Sequence, residues 1–314
     1  PNQRELIERI LSRKLPNRNR ILLSLDGGGM RGVVSLYALM ALLRRIRELT
    51  GRPNLRLEDC FDLMVGTSTG GIIVVGLCVA KRSLGEMVGL YERLGASIFG
   101  DSSKINAFKP SILARYGDRK LMDMLLDVVG TKRLDDADVA ASETRTHFGV
   151  TTVDISFKPS RPFLLRNYGT EDQRGTNRAF VAEAVRSTTA ASTFLMPYCR
   201  THGLMSVDYH PALQYVSSRY LLDAETGKYT NNLEYILRRA VVPGDREALR
   251  ARCEGDAFMA DSVNVDGGSW ACNPTRVAII EAQRQFGAGG TRPFIHAFNI
   301  GTGEMPKVRN ESWN

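Results

Sequence analysis

The sequence predicts an α/β fold, with helices packed around a mostly parallel β-sheet. Three observations support this prediction: short apolar strand-like runs alternate with longer helix-like runs, glycine-rich turns separate them, and no internal repeat or low-complexity tract interrupts them. Parallel pairing is favoured because a helix between two strands returns the chain to the same end of the sheet. Of the 314 residues, 43% are hydrophobic and 24% charged, a globular composition that excludes wholesale disorder.

The predicted elements follow this alternation along the chain. β-branched and apolar runs predict strands at 21–25, 61–65, 147–156, 162–167, 262–265 and 294–300. Apolar residues at helical spacing predict helices at 33–50, 71–81, 84–99, 119–129, 177–188 and 274–285. Because strands and helices keep alternating, one α/β domain accounts for residues 20–314.

Two segments depart from the alternation. Residues 1–19 include a stretch at 4–15 with leucine and isoleucine on one helical face and charged residues opposite, so we treat them as a separate basic amphipathic segment. Residues 200–262 carry proline and glycine at irregular intervals, which predicts an irregular insert. That insert also mixes apolar side chains with arginines, and we expect it to form a lid or a docking surface.

Positive charge is concentrated near the start of the sequence. The net charge is +8, and residues 1–56 hold twelve Lys and Arg residues against four Asp and Glu. A basic region of this kind predicts an anionic partner, either a phospholipid surface or nucleic acid, although the same residues also serve solubility.

Residues that bind metals or form disulfides are sparse. The five cysteines, an odd number without a Cys-x-x-Cys pair, disfavour a disulfide scaffold or zinc ribbon and fit a reducing compartment. None of the four histidines lies at ligand spacing from another metal-binding residue, and the acidic run at 135–138 lacks the glycine and distal glutamate of a calcium loop. We therefore predict no metal and no cofactor. Because the polar opening residues do not form a secretory signal, we expect a cytoplasmic location.

The first glycine-rich turn follows the strand at 21–25 and precedes a helix. Residues 27–32 satisfy the dinucleotide-binding pattern Gly-x-Gly-x-x-Gly. A nicotinamide site also needs an acidic residue at the end of the second strand, where this chain has Val65-Gly66-Thr67-Ser68, so that cofactor is disfavoured. The turn still offers backbone N–H groups at a helix N-terminus beside Arg31, which suits an oxyanion or a phosphate.

The second glycine-rich turn contains a candidate nucleophile. Gly66-Thr67-Ser68-Thr69-Gly70 is a Gly-x-Ser-x-Gly sequence between a strand and an apolar helix, the context of a nucleophile elbow. The two glycines allow a sharp turn that projects Ser68 from the sheet, and the following helix dipole favours negative charge there. A serine in an ordinary tight turn is the alternative.

A candidate general base follows the strand at 262–265. Asp266-Gly267-Gly268 closes that strand, so the Asp266 carboxylate can lie at the carboxyl edge of the sheet, near Ser68. By itself Asp-Gly is common turn sequence, and the position gains meaning only together with the two glycine-rich turns.

Together, these motifs resemble those of the patatin-like phospholipases, especially the calcium-independent phospholipase A2 branch. The resemblance spans residues 20–303 and rests on the order of Asp26-Gly-Gly-Gly-Met-Arg-Gly32, Gly66-Thr-Ser-Thr-Gly70 and Asp266-Gly-Gly268. Weaker similarities lie at 165–168, at 186–187 with 190–191, and at 300–303. It implies a three-layer sandwich, with residues 20–314 forming a patatin-like catalytic domain.

The resemblance also implies the chemistry. Ser68 corresponds to the acyl-accepting nucleophile and Asp266 to its general base, a dyad that cleaves fatty-acyl esters of membrane glycerophospholipids without calcium. The oxyanion hole corresponds to Gly28, Gly29, Met30 and Arg31. The remaining motif glycines are Gly27, Gly32, Gly66, Gly70, Gly267 and Gly268.

The resemblance also indicates which of the two anionic partners, phospholipid or nucleic acid, to expect. We expect a phospholipid membrane surface, preferably anionic, with peripheral association from the cytoplasm and no nucleic acid. A homodimer is compatible with the sequence.

Two alternative functions stay open. One is an α/β-hydrolase esterase in which His296 completes a Ser68-Asp266-His296 triad. However, His296 precedes an apolar run, which favours a position in a strand over the loop that a triad histidine occupies. The other alternative is a non-catalytic module that binds phospholipid or nucleotide at residues 27–32.

Overall fold

The computed structural model describes residues 19–94, 118–156, 159–169, 172, 174–191, 195, 197–200, 220–222, 229–239, 243–255, 262–287 and 293–303. The strands among them are β1 (Arg20–Leu25), β2 (Leu63–Thr67), β3 (His147–Asp154), β4 (Arg161–Arg166), β5 (Gly175–Thr176), β6 (Tyr198–Arg200), β7 (Tyr220–Leu222), β8 (Tyr229–Asn231), β9 (Ser262–Asp266) and β10 (Ile295–Ile300). The α-helices are α1 (Gly32–Thr50), α2 (Thr69–Cys78), α3 (Leu84–Leu94), α4 (Asp118–Val129), α5 (Val181–Thr188), α6 (Asn232–Arg238), α7 (Pro243–Gly255), α8 (Gly268–Ala271) and α9 (Thr275–Phe286). Short 3₁₀ turns precede α1 (Gly29–Arg31) and β2 (Leu57–Cys60).

One sheet of eight strands organises the domain. Strands β10, β1, β2 and β3 lie side by side and parallel. Strand β4 pairs antiparallel with β3, because the short connection between them leaves no room for a crossover helix. Strand β9 also pairs antiparallel with β3, and β6 with β9, while β7 and β8 form a separate hairpin. The predicted α/β fold with a mostly parallel central sheet is confirmed.

Alternating side chains of β1 decide which helices cover each face of the sheet. Leu23 points into a large core that it shares with residues of α1 to α5, such as Leu36. Its neighbour Leu22 points to the other face, where Ala278 and Ala282 of α9 pack against it. Helices on both faces of the sheet make the predicted three-layer sandwich.

Helix α2 is buried almost all round, since it lies in the middle of one helical layer. Its sequence is correspondingly apolar on every side, which is typical of a helix in the core of a large domain. It has only ten residues, and among the described helices none is both long and apolar enough to cross a membrane.

Two predicted helices have different bounds in the structure. The helix predicted at 177–188 begins only at Val181, because the chain before it is held extended against 132–134 by hydrogen bonds from Leu134 N–H to Ala179 O and from Val181 N–H to Lys132 O. The helix predicted at 71–81 runs from Thr69 to Cys78. The predicted residues 95–99 and the amphipathic stretch at 4–15 lie outside the described residues.

The insert predicted at 200–262 is more regular than expected where it is described. It contains the β7–β8 hairpin, α6 and α7. Ionic and polar contacts fix both helices to the domain: the side chains of Tyr235 and Arg239 bind the Asp123 carboxylate of α4, and Arg252 pairs with Asp135 and Asp136. In the described part of the insert, Pro243 and Gly255 therefore mark the two ends of α7.

Candidate active site

Ser68 occupies a strained turn between β2 and α2. Its φ of 52° and ψ of −117° lie in a region that non-glycine residues rarely adopt. The turn closes tightly because a Cβ on Gly66 would collide with the backbone of Gly70, and a Cβ on Gly70 would collide with the Leu25 carbonyl. This geometry is that of a nucleophile elbow, which exposes the serine hydroxyl above the sheet.

Asp266 reaches Ser68 from the opposite direction. On one edge of β3, Thr151 pairs with Thr67 of β2, and the next residue, Thr152, pairs with Asp266 of β9. Strand β9 runs antiparallel to β2, so the carboxyl ends of the two strands meet head-on. Asp266 was expected at the carboxyl edge of the sheet, and it lies there, although its strand runs against the parallel ones.

The Asp266 carboxylate is buried and has neutral partners. It is 7% exposed, accepts a 2.6 Å hydrogen bond from Gly268 N–H through Oδ1, and lies beside the Ser68 side chain, which lowers its pKa. Burial raises the pKa of Asp266 above its ordinary value, and the Gly268 N–H and the Ser68 side chain offset part of that rise. A carboxylate with increased proton affinity beside a serine hydroxyl is suited to act as a general base.

Residues outside the recognised motifs hold the elbow in place. The Ser68 N–H donates to Oγ1 of Thr188, at 2.9 Å, and Thr188 is fully buried at the end of α5. On the other side of Ser68, the Tyr91 hydroxyl donates to the Thr69 carbonyl oxygen at 2.8 Å and also contacts Thr69 Oγ1. Both supports come from the core, so the elbow is fixed by tertiary packing.

The loop after β1 lies beside this pair. Both backbone polar groups of Gly27 are hydrogen-bonded: its N–H donates to Cys272 O at 2.9 Å, and its carbonyl accepts from Thr302 Oγ1 at 3.3 Å. Gly29 has a φ of 57°, which favours glycine. Among the described hydrogen bonds, none uses the N–H of Gly28 or Gly29. Two backbone donors at the start of a helix are therefore available to an oxyanion.

The other two predicted members of the oxyanion hole have different surroundings. The Arg31 guanidinium contacts backbone carbonyls, with Nε 3.5 Å from Gly28 O and a terminal nitrogen 3.4 Å from Gly303 O. It therefore braces the loop from outside. The Met30 side chain packs against the large core. Among the described hydrogen bonds none uses the Met30 N–H either, so Gly28, Gly29 and Met30 all offer backbone donors.

The remaining motif glycines allow close approach of backbones. A Cβ on Gly32 would collide with Thr69, and one on Gly267 would collide with Thr151, while Gly268 supplies the N–H that binds Asp266. A Cβ on Gly27 would lie within ordinary contact of Ser68.

His296 lies at the other end of the sheet. It pairs with Ile21 at the start of β1, whereas Gly66, two residues before Ser68, pairs with Leu25. Four residues of strand separate these levels by about 13 Å. His296 Nε2 is 3.3 Å from the Asn19 side-chain nitrogen, and its position in β10 does not fit the alternative in which it completes a triad with Ser68 and Asp266. His147 begins β3 at the same distant end, and His202 and His210 lie outside the described residues.

Among the described residues, no group of three or more His, Cys, Asp and Glu side chains is arranged to hold a metal ion. The acidic run at 135–138 is instead paired with basic side chains. Asp135 and Asp136 bind Arg252, and Asp138 binds Lys132 at 2.6 Å.

Sequence reasoning missed the supporting residues Thr188, Tyr91, Thr302 and Cys272. Thr302 falls within the weaker similarity at 300–303, which could have signalled it, and Thr188 directly follows the similar pair at 186–187. Tyr91 carries no local signal, because its contact with Thr69 depends on how α3 packs against α2.

Comparison with known proteins finds relatives that carry phospholipase names. Patatin-like phospholipase 1 of Plasmodium falciparum (isolate NF54) is 28% identical over 181 residues, covering 55% of this chain and 25% of that protein. Phospholipase A I of Arabidopsis thaliana is 26% identical over 344 aligned residues, covering 99% and 23%. Calcium-independent phospholipase A2-gamma of Homo sapiens is 29% identical over 192 residues, covering 56% and 22%. The chain thus spans about a quarter of the length of these relatives.

A family model gives the assignment. The model of the patatin-like phospholipases matches residues 23–226, more than half of the chain, including the loop after β1 and the elbow. Three structural features accompany that match: helices on both faces of a mostly parallel sheet, an elbow at Ser68 and a buried Asp266 beside it. This chain belongs to the patatin-like phospholipase family.

Proposed function

We propose that this chain is a calcium-independent serine acyl hydrolase that cleaves fatty-acyl esters of membrane glycerophospholipids. The single observation that carries the proposal is the head-on meeting of β2 and β9, which brings the Ser68 side chain beside the buried Asp266 carboxylate. The names of relatives, among them phospholipase A I and calcium-independent phospholipase A2-gamma, support the substrate class.

In this mechanism, Asp266 accepts the Ser68 proton as Oγ attacks the ester carbonyl carbon. The carbonyl oxygen becomes an oxyanion that the N–H groups of Gly28 and Gly29 stabilise. The carbon–oxygen bond to the glycerol then breaks, and Asp266 returns the proton to the leaving lysophospholipid oxygen. Water, deprotonated by Asp266, hydrolyses the acyl-serine ester in a second, equivalent step and releases the fatty acid.

An aspartate is a weak base, and two features of the site offset this. Burial raises the pKa of Asp266, which increases its affinity for a proton and makes it a stronger base. The free N–H donors lower the barrier further, since one oxyanion donor typically contributes about 10²–10³ in rate. Ester leaving groups are easier to expel than amides, so an ester substrate fits this base.

A fluorophosphonate probe tests the proposal directly. We expect it to label wild-type protein at Ser68, and we expect mixed-phospholipid vesicles to release fatty acid at the same rate in excess EDTA and in added calcium. A non-catalytic binding module would be unlabelled and inactive. Loss of turnover in EDTA with recovery in calcium would contradict calcium independence.

Peripheral binding to an anionic membrane from the cytoplasm is part of the proposal. Its support is the excess of basic residues at 1–56. Vesicle binding should rise with anionic lipid content and fall with salt, because exposed charges are screened over about 10 Å at 0.1 M ionic strength. Equal binding to neutral vesicles at every ionic strength would contradict it.

A further inference from the structure

A cleft of about 860 Å³ lies between α1, the segment at 51–58 and the start of α3. Its apolar floor is made of buried leucines, Leu43, Leu57, Leu77 and Leu84. The volume falls in the range of small-molecule binding sites, and an apolar floor with a few polar groups is typical of them.

This cleft is separate from the acyl-ester site. Ser68 immediately precedes α2, whereas Leu77 lies near the end of that helix. Nine residues at 1.5 Å each place the two about 13 Å apart along the helix axis. Helix α1 likewise leads away from the elbow, since the cleft extends along it from Tyr37 to Gly51.

The cleft carries excess positive charge. Four arginines and two glutamates line it, namely Arg44, Arg47, Arg56, Arg82, Glu48 and Glu58. Glu58 is neutralised by Arg56, and Glu48 turns to Arg45, which does not line the cleft.

Two of these guanidinium groups lack a carboxylate partner among the described residues. Arg47 donates only to the backbone carbonyl of Leu55, at 2.9 Å, and therefore keeps its full charge. Arg44 forms no hydrogen bond or ion pair with any described residue. The two are three residues apart on α1, so they share one helical face. Paired guanidinium groups on one face suit a carboxylate or a phosphate.

The same face of α1 is apolar one to two turns earlier. Tyr37 is 58% exposed and Met40 is 38% exposed, and both line the cleft. From Tyr37 to Arg44 the helix rises about 10 Å, so apolar and cationic halves follow each other along a single groove. A ligand that complements both halves has an anionic head and one apolar chain.

We propose that this cleft binds a single-chain anionic amphiphile, with the head at Arg44 and Arg47 and the chain along Met40 and Tyr37. The simplest such ligand is a long-chain fatty-acid anion. The features of the cleft alone support the binding of such an anion. The further view that this ligand is the enzyme's own fatty-acid product, held at a second site, rests on the proposed function.

Fluorescence of dansyl-labelled undecanoic acid measures the binding. The full chain carries Ser68→Ala so that turnover does not interfere, and Arg44→Gln is compared with Arg45→Gln on that background. Both substitutions remove one exposed arginine of α1, but only Arg44 lines the cleft. We expect Kd to rise about tenfold in Arg44→Gln, since charge-assisted hydrogen bonds are strong, and to stay within about twofold in Arg45→Gln.

Two further measurements test whether the cleft recognises both the anionic head and the apolar chain of the ligand. Met40→Glu places a negative charge beside the chain and should weaken binding, while the methyl ester of the probe should bind weakly and be insensitive to Arg44→Gln. Equal effects of Arg44→Gln and Arg45→Gln, or none, would overturn the proposal. Displacement of the probe by inorganic phosphate or an acidic peptide as efficiently as by oleate would do so too. Fluorophosphonate labelling of the wild type reports on the proposed function separately.

Discussion

Two buried aspartates at opposite ends of the sheet have different partners. Asp62, just before β2, and Asp266, at the end of β9, are each 7% exposed. Asp62 accepts from the Arg20 guanidinium at 3.3 Å and from Ile21 N–H at 2.9 Å. Asp266 accepts from the neutral Gly268 N–H and lies beside the neutral Ser68 side chain. An aspartate held by a cation serves the fold, whereas one with neutral partners keeps proton affinity for chemistry.

The largest expected effect is that of Ser68→Ala. Without the hydroxyl there is no nucleophile, so hydrolysis of a short soluble ester should fall by about 10⁴-fold or more. Ser142→Ala, in an exposed turn, and His296→Gln, at the far end of the sheet, are the controls and should keep most activity. If folded His296→Gln were as inactive as Ser68→Ala, the dyad would be incorrect.

Exchanging each aspartate for asparagine tests the comparison itself. Asp266→Asn removes the base and should lower kcat by about 10²–10⁴-fold while the protein stays folded. Asp62→Asn should instead keep kcat within a few-fold and lower the free energy of unfolding by about 1–3 kcal/mol, because Arg20 loses its charged partner. Ester hydrolysis and urea unfolding of both variants provide the readouts. A stable, inactive Asp62→Asn protein would contradict this division of roles.

The raised pKa of Asp266 predicts a specific pH dependence. The base must be ionised, so kcat/KM should fall as pH drops through a pKa above the ordinary 3.8. A folded-state pKa above the unfolded one also means that ionised Asp266 destabilises the fold at higher pH. The melting temperature of Asp266→Asn relative to wild type should therefore rise as pH increases through that pKa. A relative melting temperature that fell over the same range would contradict desolvation of Asp266.

Two glycine-to-alanine changes compare how tightly the elbow and an outer helix are packed. A Cβ on Gly70 would collide with the Leu25 backbone, so Gly70→Ala should lower the free energy of unfolding by about 1–3 kcal/mol and reduce activity. The matched change Gly85→Ala on α3 meets open space and should stabilise by about 0.5–1 kcal/mol. Urea unfolding measures both, and equal destabilisation would show that the elbow is not tightly packed.

Thr188→Val should have the smallest effect of this series. It removes the acceptor of the Ser68 N–H at nearly unchanged side-chain volume. Because that hydrogen bond, worth about 0.5–1.5 kcal/mol, holds the turn that positions Ser68, kcat should fall by about two- to fivefold. The neighbouring change Thr189→Val removes hydrogen bonds to the α5 carbonyls of Val185 and Arg186 and does not touch Ser68. Equal kcat values for the two variants would show that Thr188 has no positioning role.

Local sequence was sufficient for most elements of the domain. The strand at 21–25, the helix at 33–50 and the elbow at 66–70 agree with the structure within a few residues, because their signals come from neighbours in sequence. The helix predicted at 177–188 was too long at its start, since its first residues pair with a distant segment at 132–134. In the described part of the insert, Pro243 and Gly255, which were interpreted as signs of irregularity, mark the two ends of α7.

By itself, the sequence determined the α/β class and the glycine-flanked elbow at Ser68, since each depends on residue types at short spacing. The pairing of Ser68 with Asp266 was an implication of the motif resemblance and stays a prediction. Only the tertiary structure decided how Asp266 reaches Ser68, because β9 enters antiparallel along the edge of β3 that β2 leaves free. It also decided that His296 lies at the far end of the sheet and that Thr188 and Tyr91 support the elbow. These contacts join residues far apart in the chain, and no local pattern encodes the register or direction in which distant strands pair.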